Sequence, residues 1–387
     1  MSESEVEREV RAAFDTAREV RPTRITGKES GADLLASAFP AFVGRQVREG
    51  YRLMRKSVVD GNTVFCTMSG AMTPAGLHRS CIVPMIEAGF IDVLTTTGAN
   101  LYHDAHRLLG FHLKEIAPDA GDTRLREARI IRIYDIAFPE EVLLRTDKLF
   151  GWLMAQPEFQ RSMTTAEFHN LLGKHLHAIE TRLGVDQHSL LATCWANAVP
   201  IFVGAPQDGS IFLNAVKLRA VLGDAFGFSL DVNRDVYAMA AVQWLAQNEG
   251  DTSVWILGGG VPKNYTLQGE PTLSQILGVD ARGFDIDVQF CVDPVDNGAL
   301  SSCPAGEGHT WGKVSAECVE TASVYVHTDV TAVLPFVVHA LFQEGISRAP
   351  KRLYDRMGEA LAKLDADVAV QRDGLMEGLY ETPEEVR

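Results

Sequence analysis

The chain has 387 residues, 46% hydrophobic and 22% charged, the balance of a folded protein with a sizeable core and room for one large domain or two. A formal charge of −15, from 36 basic and 51 acidic residues, argues against phosphate-backbone binding, so nucleic acid is not expected as a partner. No run reaches the roughly 18 apolar residues of a membrane span, so no membrane partner is expected.

The start, "MSESEVEREVRAAFD", is an acidic helical pattern without a signal peptide's apolar centre, which points to a cytoplasmic protein. Residues 1–25 read as an N-terminal helical extension. From there short β-branched or apolar runs bounded by Gly or Pro alternate with helical patterns. The runs are "TVFCTMSG", "IDVLTTTG", "VPIFVGAP", "TSVWILGGG", "FDIDVQFCV" and "ASVYVHTD"; "PAGLHRSCIVPMIEAG" and "RDVYAMAAVQWLAQNEG" are among the helices. This alternation predicts an α/β fold with a mainly parallel sheet covered by helices on both faces. Residues 139–190 read as consecutive helices inserted into an α/β domain spanning 26–349, and 350–387 as a C-terminal helical tail.

The six cysteines are scattered without CxxC spacing, as expected of reduced thiols. His103 and His106 share a face if "NLYHDAHRLLGFH" is helical, but neither HExxH nor a Cys/His cluster completes a ligand set, so no metal site is expected.

Ligands of open α/β sheets gather at the carboxyl ends of strands, which makes the strand-to-helix junctions the candidate sites. "SGAMTPAG", "TTTGAN", "PQDGS" and "LGGGVPKN" each place small residues or hydroxyls where backbone N–H groups can approach a phosphate or ribose. Asp208 and Asp329 closely follow apolar runs, where a carboxylate either accepts ribose hydroxyls or caps a helix.

Lys313, in "GEGHTWGKVSAE", is not a phosphate-loop lysine, because Glu307 and Val314 stand where that loop needs Gly and Ser or Thr. Two readings stay open. The lysine either lays its stem on the Trp311 ring, or is kept neutral enough, by burial beside the indole and a charged His309, to form a Schiff base.

"EGHTWGK", about 45 residues beyond "LGGGVPKN", preceded by "IDVLTTTGAN" and "VPIFVGAPQDGS" and followed by "VYVHTDVTAVLP", resembles the deoxyhypusine synthase family in order and spacing from about residue 30 to 345. The resemblance implies a Rossmann-like NAD enzyme, a homotetramer with active sites at subunit interfaces. Its members oxidise and cleave spermidine, hold the four-carbon amine as an imine on a lysine, and pass it to an acceptor amine. On this reading Lys313 is the nucleophile, Trp311 packs along the donor chain, Glu307 binds an ammonium group, and Asn264 stands at the substrate where eukaryotic members have His. NAD would be held by Gly70, Ala71, Ala75, Thr97, Gly98, Ala99, Asp208, Gly258, Gly259, Gly260 and Asp329, with His103 where the family has Glu. Leu213 and Leu300 replace acidic residues that hold the polyamine. They would widen an apolar wall, leaving Glu307 and Asp293 or Asp296 for the ammonium groups. These departures resemble the bacterial branch that includes homospermidine synthases. The expected reaction is therefore aminobutyl transfer between polyamines with a small amine acceptor. The alternatives are a translation-factor lysine as acceptor and a silent NAD-binding protein.

Overall fold

In the computed structural model, which describes residues 5–21 and 23–378, six strands make the central sheet. They are β1 (Thr63–Met68), β2 (Val93–Thr96), β3 (Ile201–Phe202), β4 (Thr252–Leu257), β5 (Ile286–Cys291) and β6 (Ser323–His327). Each lies in one of the six apolar runs. All five pairings are parallel and the order across the sheet is β3-β2-β1-β4-β5-β6. This is the doubly wound order of dinucleotide-binding domains, whose direction of winding reverses between β1 and β4.

The side-chain period of two explains why these runs become strands buried on both faces. Val64, Cys66 and Met68 of β1 join Trp255 and Leu257 of β4 in one core cluster. Phe65, Val254 and Ile256, the alternate positions, enter a second cluster on the opposite face. Every residue of β1, β4 and β5 is buried, and each large side chain removed from water contributes on the order of 2–3 kcal/mol.

Helices Phe42–Val59 and Val330–Gln343 cover the first face with Leu53, Met54, Leu334 and Val337. Helices Val232–Glu249 and Met357–Gly378 cover the second with Met239, Val242, Ala360 and Leu364. The last helix is tied to the first of this pair where Tyr237 Oη and Trp244 Nε1 donate to Asp365 and Asp367, both at 2.6 Å. Near the amino end, a helix spans Glu5–Thr16.

Between residues 139 and 190 lie helices Glu140–Met154 and Thr165–Leu183, the latter opened by a Thr164–Glu167 capping box. Their Phe150, Leu153, Phe168 and Leu172 belong to the same cluster as Val64 of β1, so they share the sheet's core. A three-stranded antiparallel sheet of Lys114–Glu115, Ile130–Ile133 and Ile136–Pro139 precedes them; strands of two to four residues leave no periodic signal. No helix among the described residues is long and apolar enough to cross a membrane.

Candidate active site

A cleft of about 330 Å³ opens at the carboxyl ends of β1, β2 and β3. Gly70, Thr97, Gly98, Ala99, Asp208 and Gly260 are on its wall. Three helices begin there, Gly98–Leu108, Ser210–Leu222 and Gly260–Leu267, so their unpaired N–H groups and the positive ends of their dipoles meet at one place. Such a convergence suits a pyrophosphate. The first two approach as closely as they do because both are entered through glycine: a Cβ on Gly98 would lie 2.8 Å from the Gly209 Cα. Asp208 is exposed on the wall, where its carboxylate can accept ribose hydroxyls. The residues present therefore fit a dinucleotide.

The loop after β1 is held by a residue the sequence reading did not single out. Asn100 is fully buried; its Oδ1 accepts from the Met72 and Thr73 amides at 2.7 and 3.2 Å, and its Nδ2 donates to the Met68 and Ser69 carbonyls, both at 3.3 Å. Thr97 caps its helix by accepting from the Asn100 amide and donates to the Gly70 carbonyl at 2.7 Å. The loop after β1 thus takes its shape from a side-chain amide of the next junction. Gly258, at φ +90, could not be otherwise: a Cβ there would fall 2.0 Å from Ser69 Oγ.

Of the twelve expected cofactor residues six are off this wall: Gly258 and Gly259, in the turn just before Gly260, and four others. Ala71 is off the wall, and Ala75 lines a separate hollow with Arg107 and Tyr134. His103 turns towards His106 and Phe138, where Thr146 Oγ1 donates to the Val142 carbonyl, accepts from His106 Nδ1 at 2.8 Å, and so leaves His106 Nε2 to accept from His103 Nδ1 at 2.9 Å. Burial pushes both imidazoles down, His103 to about 4 and His106 to about 3, and rings bonded to each other do not present a joint face to a metal. Asp329 spends its Oδ1 on the Thr331 amide and hydroxyl, at 2.8 and 2.5 Å, capping the helix that follows β6. The cap takes one carboxylate oxygen of an exposed side chain, and a cap and a ribose contact are compatible at this position.

Lys313 follows the helix Ala305–Thr310 and a left-handed turn at Gly312, φ +71. Its backbone is fixed on both sides, its N–H bonded to the Gly308 carbonyl and its carbonyl to the Phe284 amide, both at 3.0 Å. The half-buried side chain sends Nζ to Asn264 Oδ1 at 3.2 Å, with the Trp311 ring centroid 5.9 Å away. Burial lowers its pKa below the usual lysine range, opposed by Cys303 and the Glu307 carboxylate, which favour the ammonium form. His309 turns its ring to the Val314 carbonyl, to which Nδ1 donates at 2.8 Å, and the charges that act on Lys313 are those of Cys303 and Glu307. Trp311 is 54% exposed, and Leu213 and Leu300 are comparably open, so neither leucine walls a tunnel within one chain. The helix Gly260–Leu267 links the cleft to the lysine cluster, giving Gly260 to the cleft wall and Asn264 to Lys313.

The sequence profile of the deoxyhypusine synthases matches residues 35–341. A deoxyhypusine synthase-like protein of Nostoc sp. is 40% identical over 358 residues, covering 92% of each chain. An archaeal relative from Methanosarcina acetivorans that carries a deoxyhypusine synthase name is 35% identical, covering 78% of this chain and 84% of its own. A crystal structure from Entamoeba histolytica with a deoxyhypusine synthase assignment superposes with a TM-score of 0.51 at 14% identity, over 85% of this chain and 99% of its own, which is a likeness of fold. The doubly wound sheet, the lysine behind its tryptophan and these matches lead to one conclusion: the chain belongs to the deoxyhypusine synthase family.

Proposed function

We propose that this protein is an NAD-dependent aminobutyl transferase that takes a four-carbon amine from a polyamine as an imine on Lys313 and passes it to a small amine such as putrescine. The observation that carries the reading is the Lys313 environment: a half-buried amine with a lowered pKa, held by a neutral acceptor and bordered by an indole and a carboxylate. When bound in the cleft, NAD takes a hydride from the carbon beside the donor nitrogen and later returns it. Lys313, once neutral, attacks the oxidised carbon, and Asn264 Oδ1, accepting an N–H, aims the lone pair. The bond from that carbon to the donor nitrogen then breaks, so that the rest of the polyamine leaves as a free amine carrying the lysine's proton. Trp311 lies along the donor's methylenes and Glu307 pairs with its far ammonium. Gly98, Gly209 and the helix ends at the cleft hold the pyrophosphate, with Asp208 on a ribose.

A homo-oligomer, a tetramer in this reading, completes the site. Support comes from exposed apolar side chains, Val261 on the cleft wall, Leu213 in the helix that starts there, Trp311 beside Lys313 and Leu300 in the loop after β5, which a second copy would cover. An acceptor amine then needs only a narrow passage with an apolar wall.

The test is incubation with NAD, spermidine, and equal access to putrescine and a translation-factor precursor, with borohydride trapping and mass spectrometry. We expect a reduced four-carbon adduct on the enzyme, lost in Lys313→Ala and equally in Lys313→Arg, whose guanidinium stays protonated, and label on putrescine. An adduct surviving both substitutions overturns the lysine assignment, and label on the protein acceptor alone overturns the small-amine reading.

A further inference from the structure

We propose that Lys263 and Gln289 are positioning residues, a buried clamp that holds the glycine turn at 258–260 and the loop leading to Lys313 in one fixed relation. The inference rests on the reading of Lys313 and the cleft given above.

Lys263 sits on the helix Gly260–Leu267 and is 5% exposed. Its Nζ donates to Gln289 Oε1 and the Cys303 carbonyl, both at 2.8 Å, and to the Ser301 carbonyl at 3.4 Å. An ammonium has three N–H groups, and all three are used. Asp287, two residues before Gln289 on β5 and on the same face, supplies the opposing charge that offsets the burial of this lysine. Gln289, 3% exposed, gives its oxygen to Lys263 and its Nε2 to two carbonyls, Gly258 at 2.8 Å and Ser301 at 2.6 Å. One amide group therefore ties the glycine turn to the loop after β5.

Two further features agree. A Cβ on Gly259 would lie 2.6 Å from the Ser301 carbonyl oxygen, so the turn and the loop touch directly. Leu300, the residue before the doubly bound Ser301 carbonyl, is held at φ +54, a conformation that a branched side chain takes only when its surroundings impose it. From Cys303 the chain passes through Pro304 into the helix that carries Glu307 and then to Lys313, whose Nζ is held by Asn264, the neighbour of Lys263. Consecutive residues of one short helix thus grip the lysine loop from inside and the lysine itself from outside. An occupant of the glycine turn would be felt at Lys313 through these bonds.

The coupling can be read without turnover. Reductive labelling of Lys313 by butanal and cyanoborohydride, followed by peptide mass spectrometry, gives a rate with and without saturating NAD, and calorimetry gives NAD affinity directly. In the wild type we expect NAD to change the labelling rate at least threefold. Gln289→Glu keeps an oxygen for Lys263 but sets a carboxylate against the Gly258 and Ser301 carbonyls, and Lys263→Met removes all three donors. In either variant NAD should still bind within about threefold of wild type while the change in labelling falls below 1.5-fold. The proposal is overturned if NAD binds the wild type without altering the rate, a result that needs no variant to fold, or if a folded variant keeps the full response. A wild type that binds no NAD overturns the cofactor reading and the clamp with it, whereas NAD binding with an unresponsive lysine sinks the clamp alone.

Discussion

The loops of the cleft are held by neutral groups, the Asn100 amide and the Thr97 and Ser69 hydroxyls, and the cleft offers a ligand mainly backbone N–H groups. Behind the loop that leads to Lys313, by contrast, the chain buries charge-bearing groups: Lys263, and Asp287, whose carboxyl burial pushes up to about 6. The difference follows from what each side handles. Phosphates and ribose hydroxyls are satisfied by backbone dipoles, which no proton alters. On the proposed reading Lys313 must instead be kept short of its usual proton affinity, which burial does against the pull of the neighbouring Cys303 and Glu307. Substitutions that change shape should therefore damage the cleft and spare the lysine, and substitutions that change charge should do the reverse.

The largest effect expected from this contrast is at Gly98. Alanine there places a Cβ 2.8 Å from the Gly209 backbone, so the two helix ends must part. At an overpacking cost of about 2 kcal/mol, NAD binding should weaken about thirtyfold. Labelling of Lys313 by butanal in the absence of NAD should stay within twofold of wild type. Calorimetry and peptide mass spectrometry read the two sides separately, and a matching loss on both would erase the distinction between them.

Within the cofactor set the structure separates residues that the family resemblance treats alike. Asp208→Ala should weaken NAD by more than about tenfold, on the order of 1.5 kcal/mol for a lost charged hydrogen bond. Asp329→Ala should cost less than threefold in binding and instead lower stability by about 1 kcal/mol, the worth of an N-cap, seen as a lower denaturation midpoint. His103→Ala should leave NAD affinity within twofold, since the ring is engaged with His106 away from the cleft wall. Equal losses at Asp208 and Asp329 would show that Asp329 holds a ribose as well as its cap.

That separation marks how far the sequence could be read. The six sheet strands were legible because each is a short apolar or β-branched run, five of them closed by Gly or Pro within a few residues, and Lys313, Trp311 and Glu307 because they stand together in one short motif. Asn264 was legible too, and the structure brings it to Lys313. Ala75 and His103 were placed by position within a motif alone, and side-chain direction, which spacing does not encode, turned them elsewhere. Lys263 and Gln289 left a weaker trace, a lysine in a buried helix and a polar residue inside "FDIDVQFCV", which gains meaning only once β5 and the glycine turn are known to be neighbours.

A modest change in reactivity tests the charged side most directly. Glu307 is exposed, and its carboxylate favours the protonated form of Lys313, working against burial. Removing that charge in Glu307→Gln should lower the lysine's pKa further, so that more of it is neutral near pH 7. Because solvent screens an exposed carboxylate, the gain in butanal labelling should be modest, about threefold. The labelling profile should move to lower pH, with its plateau at high pH unchanged, since only the neutral fraction differs. On the proposed reading the same substitution removes the partner of the donor's ammonium, so KM for spermidine should rise about tenfold. A nucleophile that becomes more reactive in an enzyme that binds its donor less well is a combination that misfolding would not produce. Slower labelling at every pH would instead mean that Glu307 takes the proton from Lys313, and its role would change from anchor to base.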